Sequence, residues 1–133
     1  VRRAPGSEAS VQILVVEDET AIADAVARGL RRHGMTVDVA YDGVDGFGMA
    51  TTRPYDVIVL DRDLPGMSGD DICQSVTTRM ATKVLMLTAS MSEDARATGF
   101  RLGASDYITK PFSFPDLVQR VHALALGQPL YGL

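Results

Sequence analysis

Val57-Ile58-Val59-Leu60-Asp61-Arg62-Asp63-Leu64-Pro65-Gly66-Met67-Ser68-Gly69 is the stretch that decides the fold. Its first four residues are apolar without alternation, the pattern of a strand covered on both faces. Two acids, a proline and two glycines follow, so the apolar run stops abruptly on turn-forming residues. A strand buried on both sides belongs in a parallel sheet with helices above and below it.

The neighbouring segments repeat this texture. Val11–Val16, Val37–Ala40, Val84–Leu87 and Asp106–Ile108 are also short and mostly β-branched or aliphatic, and three of the five segments are nearly continuous apolar runs. Helical segments lie between and after them. Over 20–33, Ile22, Ala25, Val26, Gly29, Leu30 and His33 recur at helical spacing, and Gly34 is a stop signal. Residues 43–52 form a weaker helix, because Gly43, Gly46 and Gly48 each cost roughly 1 kcal/mol against alanine. Ile72, Cys73 and Val76 mark the inner face of a third helix after Gly69. A fourth, over 92–100, has few large apolar anchors beyond Phe100. The last starts at Ser113, with Asp116 completing an approximate capping box, and turns Leu117, Val118, Val121 and Leu124 inward. Five βα units predict an α/β, flavodoxin-like, doubly wound (βα)5 sandwich with a parallel sheet in the order 2-1-3-4-5.

The 133 residues make one domain, with 46% hydrophobic content suited to a globular core. Residues 1–10 read as a disordered tail, 11–126 as the domain, and 127–133 as a second tail or linker stub. A net charge of −4 argues against nucleic-acid binding by this chain. No apolar run reaches the roughly 20 residues of a membrane span. The single cysteine, Cys73, has no internal disulfide partner, which points to a cytoplasmic protein, and it reads as a small apolar helix-face residue. His33 and His122 lack metal-ligand spacing and suit helix-end or surface positions.

The chemistry lies at strand ends. Glu17 and Asp18 follow the first strand, Asp61 the third and Thr88 the fourth, and Lys110 comes two residues after the fifth. Ligands of open parallel sheets bind outside the carboxyl ends of the strands, beside the point where strand order reverses. Three carboxylates, a hydroxyl and an ammonium should therefore meet in one crevice. Clustered carboxylates repel one another until a cation joins them, and an all-oxygen donor set suits Mg²⁺. Asp61 would then serve as a carboxylate nucleophile toward phosphorus, with Mg²⁺, Lys110 and Thr88 binding the phosphoryl oxygens. Taken singly, Glu17 or Asp18 is a helix-capping acid, and Thr88 and Lys110 are ordinary surface residues.

Four separated blocks resemble the response-regulator receiver family over about residues 11–126. They are Glu17-Asp18, then Val59 to Gly69, then Leu87-Thr88-Ala89, and finally Gly103-Ala104-Ser105-Asp106-Tyr107-Ile108-Thr109-Lys110-Pro111-Phe112. The resemblance implies that Asp61 accepts phosphate from a sensor histidine kinase. It implies Mg²⁺ held by Asp18, Asp61 and the backbone carbonyl of Asp63, with Glu17 acting through water. Lys110 would contact the phosphoryl group or, without one, Asp61. Lys110–Pro111 resembles the family's cis bond, and Thr88 and Tyr107 resemble its switch pair. Many relatives carry an apolar residue where Asp63 stands, so its side chain is expected to tune the lifetime of the phosphoryl group.

The segments from Asp94 to Phe100, Ser105 to Tyr107 and Asp116 to Arg120 are similar to the OmpR/PhoB-type subfamily. Those receivers dimerise through the fourth helix, fifth strand and fifth helix, which would make Arg96, Asp106, Asp116 and Arg120 contact residues. Ser105 stands where that subfamily often has an aspartate. Such relatives continue into a winged-helix DNA-binding domain, which this sequence does not include. A competing enzyme reading also exists. Asp61-Arg62-Asp63 resembles the D-x-D of aspartate-nucleophile phosphatases, although that motif belongs on a first strand and in a larger, capped chain.

Overall fold

The computed structural model describes residues 10–89, 92, 97, 98 and 100–127. Strands β1 (Gln12–Val16), β2 (Thr36–Ala40), β3 (Val57–Asp61), β4 (Lys83–Thr88) and β5 (Asp106–Thr109) form one parallel sheet in the order β2-β1-β3-β4-β5. The expected fold class and strand order are borne out. β1 starts one residue later than expected and the other four strands extend by a residue or two, so Asp61 and Thr88 are the last residues of their strands rather than the first beyond them.

Side-chain alternation divides the core into two layers. Ile13, Val15, Val57, Val59, Leu85, Leu87 and Ile108 face helix α1 (Thr20–Arg32) and the C-terminal helix (Phe114–Leu126). Leu14, Val16, Ile58, Leu60, Val84, Met86 and Tyr107 face α2 (Gly43–Thr52) and α3 (Gly69–Arg79). Every residue of β3 is buried, as its unbroken apolar run requires. Each large aliphatic side chain so covered contributes about 1.5–3 kcal/mol relative to exposure.

Helix details both match the sequence reading and correct it. On α1 the buried face is Ala23, Val26, Ala27, Gly29 and Leu30, whereas Ala25 and His33 are exposed and Ile22 is half-buried. Ala23 and Ala27 are small enough to seat the helix directly on the sheet, and this rotates the face from the one expected. The three glycines weaken α2 by propensity, yet two of them permit its packing. A Cβ on Gly43 would fall on the backbone of Met67, and one on Gly46 on the side chain of Val16. Ser113 caps the C-terminal helix, accepting from the Asp116 amide at 3.2 Å, and Gly127 ends it in the left-handed region at φ 67°. Of the expected fourth helix, Ala97, Thr98, Phe100 and Arg101 are helical. Ser92 is not helical, while residues 93–96 (Arg96 among them), residue 99 and most of the two expected tails lie outside the described residues.

Candidate functional site

Alternation and topology bring the polar residues together. Glu17 extends β1 by one residue, its amide donating to Ala40 O at 3.1 Å. Two-residue periodicity then puts its side chain on the same sheet face as Val15, and Asp61 on that of Val59. Lys110 follows Thr109 directly, and its amide donates to Thr88 O at 2.9 Å, which carries the β4–β5 ladder one residue further. Glu17, Asp61 and Lys110 therefore share one face at the carboxyl edge of the sheet. The Lys110–Pro111 peptide bond is cis, as expected.

The contacts are close. Lys110 Nζ lies 2.7 Å from Glu17 Oε1, 3.3 Å from Asp61 Oδ2 and 3.8 Å from Glu19 Oε1. Asp61 Oδ1 accepts from the Asp63 amide at 3.0 Å, while the Asp63 side chain is exposed. Glu17 Oε2 accepts from the Glu19 amide at 3.0 Å. The N-cap of α1 is Glu19 and carries no side-chain cap bond, so neither Glu17 nor Asp18 is that helix's N-cap.

Glu17 and Asp61 are buried and Asp18 is exposed, and one carboxylate oxygen from each lies within 4.8 Å of the others. Burial pushes Glu17 up to about 7, against the pull of Lys110 and the Glu19 amide, and the neighbouring Asp61 adds to the rise. Burial also works to raise Asp61. The hydrogen bond with Glu17, the Asp63 amide and the Lys110 charge outweigh it and hold Asp61 below the usual carboxylate value. Burial works to lower Lys110, and Glu17 and Asp61 reverse this and raise it. One ammonium is thus insufficient compensation for the cluster, and Glu17 holds its proton more tightly than an ordinary glutamate. Glu17 Oε1 is buried 2.7 Å from the Lys110 ammonium, among the acids of the same cluster. An all-oxygen site with more acids than its one ammonium balances fits a hard divalent cation such as Mg²⁺.

Thr88 and Tyr107 are both buried and lie on the opposite sheet face. Tyr107 is in register with Met86, and Thr88 is the next residue of β4 on that face. The Tyr107 ring packs edge-on against Phe100 at 5.2 Å between centroids. Asp106, Asp116 and Arg120, expected as intermolecular contacts, pair within the chain. Arg120 Nη1 lies 2.8 Å from Asp106 Oδ2, and its Nε lies 3.0 Å from Asp116 Oδ1. Sequence reasoning missed Glu19 as a third acid facing Lys110, although its place directly after Glu17-Asp18 was a usable signal. It also missed the pairing of Arg62 with Asp70, for which spacing across a turn offers none.

A doubly wound sheet with an acid–lysine cluster at its switch point defines a class of protein, and comparison with known sequences agrees. The family model described as the response regulator receiver domain matches residues 13–122, and the chain belongs to that family. The acidic cluster is consistent with the family's phospho-acceptor site.

Among relatives, transcriptional regulatory protein CutR of Streptomyces coelicolor is 52% identical over 115 residues, covering 86% of this chain and 53% of CutR. Sensory transduction protein RegX3 of Mycolicibacterium smegmatis is 40% identical over 112 residues, covering 84% of this chain and 49% of RegX3. The chain spans about half the length of the curated relatives it matches. DrrB of Thermotoga maritima, an OmpR/PhoB homolog, superposes with a TM-score of 0.81 at 33% identity, over 90% of this chain and 54% of that one. The Francisella response regulator 1452 receiver domain gives 0.84 at 31% identity, over 89% and 98%. Family membership sets the chain apart from ordinary enzymes and leaves the phosphatase reading without support. No helix among the described residues is long and apolar enough to cross a membrane.

Proposed function

We propose that this chain is a phosphorylation switch of a two-component system, in which Asp61 takes a phosphoryl group from the phosphohistidine of a sensor histidine kinase. One observation carries the reading. Asp61 is buried at a strand end with one oxygen held by the Asp63 amide at 3.0 Å and the other facing Lys110 at 3.3 Å, and Glu17 and Asp18 complete an acidic cluster around it. An ionised carboxylate, fixed and partly desolvated, is a competent nucleophile. A carboxylate oxygen forms a bond to phosphorus as the N–P bond of the donor breaks, and the imidazole nitrogen keeps the electron pair.

Asp18, Asp61 and the Asp63 carbonyl would hold Mg²⁺, and Glu17 would do so through water. Once bound, the ion supplies positive charge to the phosphoryl oxygens. Lys110 and Thr88 bind those oxygens as well. Thr88 and Tyr107 act as the switch pair, passing occupancy of the site to the face made by the fourth helical segment, β5 and the C-terminal helix. The Asp63 side chain tunes phosphoryl lifetime, and unchanged dephosphorylation kinetics in Asp63→Leu would remove that role. The chemistry is storage of one group rather than turnover. An ATP-charged kinase as donor places it in the cytoplasm.

Intact-mass measurement after treatment with acetyl phosphate and Mg²⁺ tests the proposal. One phosphoryl group on the wild type and none on Asp61→Asn supports it; equal labelling of both refutes it. Phosphorylation would favour a homodimer through the output face, using Arg96, Asp106, Asp116 and Arg120, and would act on DNA through a domain outside this chain. The likeness to DrrB supports this reading. Sedimentation of a fully phosphorylated sample as monomer would exclude the dimer.

A further inference from the structure

Arg62 follows the acceptor aspartate, and its side chain does not run into solvent. It is 16% exposed and turns back onto Asp70, in the first turn of α3. Its Nε and Nη2 both donate to Asp70 Oδ2, at 3.3 and 3.1 Å, and Nε lies 3.0 Å from Oδ1. Four further ties converge on the same short turn. The Arg62 amide donates to Leu87 O on β4 at 3.0 Å, and the Arg62 carbonyl accepts from the Gly69 amide at 3.0 Å. A Cβ on Gly69 would fall on the Asp61 carbonyl and the Arg62 backbone, so α3 begins in direct backbone contact with the acceptor strand. Leu64 is buried and anchors the turn from within. Arg62 thus closes a loop whose first residue, Asp63, gives its amide to Asp61 Oδ1.

We propose that Arg62 is a positioning residue for the acceptor site. Its pairing with Asp70 locks residues 62–69, which keeps the Asp63 amide on Asp61 Oδ1 and would fix the Asp63 carbonyl as a ligand for the cation. The inference rests on the phospho-acceptor reading above and adds a residue that touches neither phosphate nor metal. A planar guanidinium facing a carboxylate with two nitrogens sets orientation as well as distance, which a flexible ammonium does less well. Partners that orient ligating groups typically alter metal affinity by about 10-fold or more when removed.

The test uses Arg62→Ala, Asp70→Asn, the double variant and Arg62→Lys in the full chain. Mg²⁺ affinity is read by competition with Mn²⁺, the Asp63 amide is followed by NMR without metal, and acetyl phosphate labelling is timed at saturating Mg²⁺. Each single variant should weaken Mg²⁺ binding about 10-fold and shift the Asp63 amide. The double variant should be no worse than either single one, since both remove the same contact. Arg62→Lys should recover part of the affinity, which a merely structural loss would not predict. Unchanged affinity and amide position in folded Arg62→Ala would overturn the inference, as would additive losses in the double variant. Either result, with the wild type still labelled on Asp61, leaves the acceptor reading standing. Absence of label on the wild type would instead refute that reading.

Discussion

The ammonium of Lys110 lies 2.7 Å from Glu17, a carboxylate whose side chain has no exposed surface. Asp61 stands slightly further off, at 3.3 Å. Without a cation, the lysine is therefore shared, and the more buried acid takes the shorter contact.

The titration of Glu17 follows from this. Its value in the folded protein is about 7 against an ordinary 4.5, so the folded state holds the proton more tightly than the unfolded chain. The resulting stabilisation is complete below about 4.5 and is lost as pH rises through about 7. Asp61 is shifted the other way, so its contribution is present above its unfolded value and lost only toward acid pH. Urea unfolding in chelator should show stability falling by on the order of 2–3 kcal/mol between about pH 5 and pH 8. Glu17→Gln should flatten that slope. Mg²⁺ affinity should rise over the same interval, because the ion and the proton compete for the cluster.

Lys110→Met removes the cation that faces three acids. At about pH 8 the variant should unfold more readily than wild type, since breaking a buried pair costs about 3–5 kcal/mol where the remaining charge has no outlet. At about pH 6 the deficit should shrink, because Glu17 takes up a proton instead. Thermal melts at the two pH values, without metal, measure the difference.

Gly69→Ala probes the seam between β3 and α3. The added methyl meets the Asp61 carbonyl and the Arg62 backbone, neither of which is a flexible side-chain end. Overpacking of this kind costs about 1–3 kcal/mol, and here it also displaces the acceptor strand. Both the urea midpoint and the rate of acetyl phosphate labelling should fall.

Arg120→Ala leaves Asp106, which is 6% exposed, without the guanidinium at 2.8 Å. A loss of about 3 kcal/mol in unfolding free energy is expected, with most of it recovered by adding Asp106→Asn. Because this pair supports the isolated chain, a dimerisation defect in Arg120→Ala is interpretable only beside its melting curve.

The fold was legible because β3 and its two neighbours, β1 and β4, obey one rule: nearly unbroken apolar runs that stop on polar residues. Given three such runs and two mixed strands, all separated by helical segments, parallel topology alone carries Lys110 to Asp61 across 49 residues of sequence. The acidic cluster was legible for the same reason, since every member sits at a strand's carboxyl end. Other features were not. The face of α1 turned on Ala23 against Ala25, two residues that hydrophobicity cannot separate and only close packing does. The glycines of α2 read as a weakness until Met67 and Val16 were seen to occupy the space a side chain would take. Tertiary pairings such as Arg62 with Asp70, or Arg120 with Asp106, depend on rotamers at helix starts and strand ends, and no periodicity encodes them.

The central claim is that a phosphoryl group is stored as an acyl phosphate on Asp61. Reductive trapping with borohydride tests it most directly, since hydride displaces phosphate from an acyl phosphate, but not from a phosphate ester, and leaves the primary alcohol of the same carbon chain, homoserine at an aspartyl site. After acetyl phosphate and Mg²⁺, peptide mapping should place that alcohol at position 61 alone, and chelator or Asp61→Asn should abolish it. Trapping at another acid, or a stable ester on a hydroxyl residue with position 61 unmodified, would contradict the account.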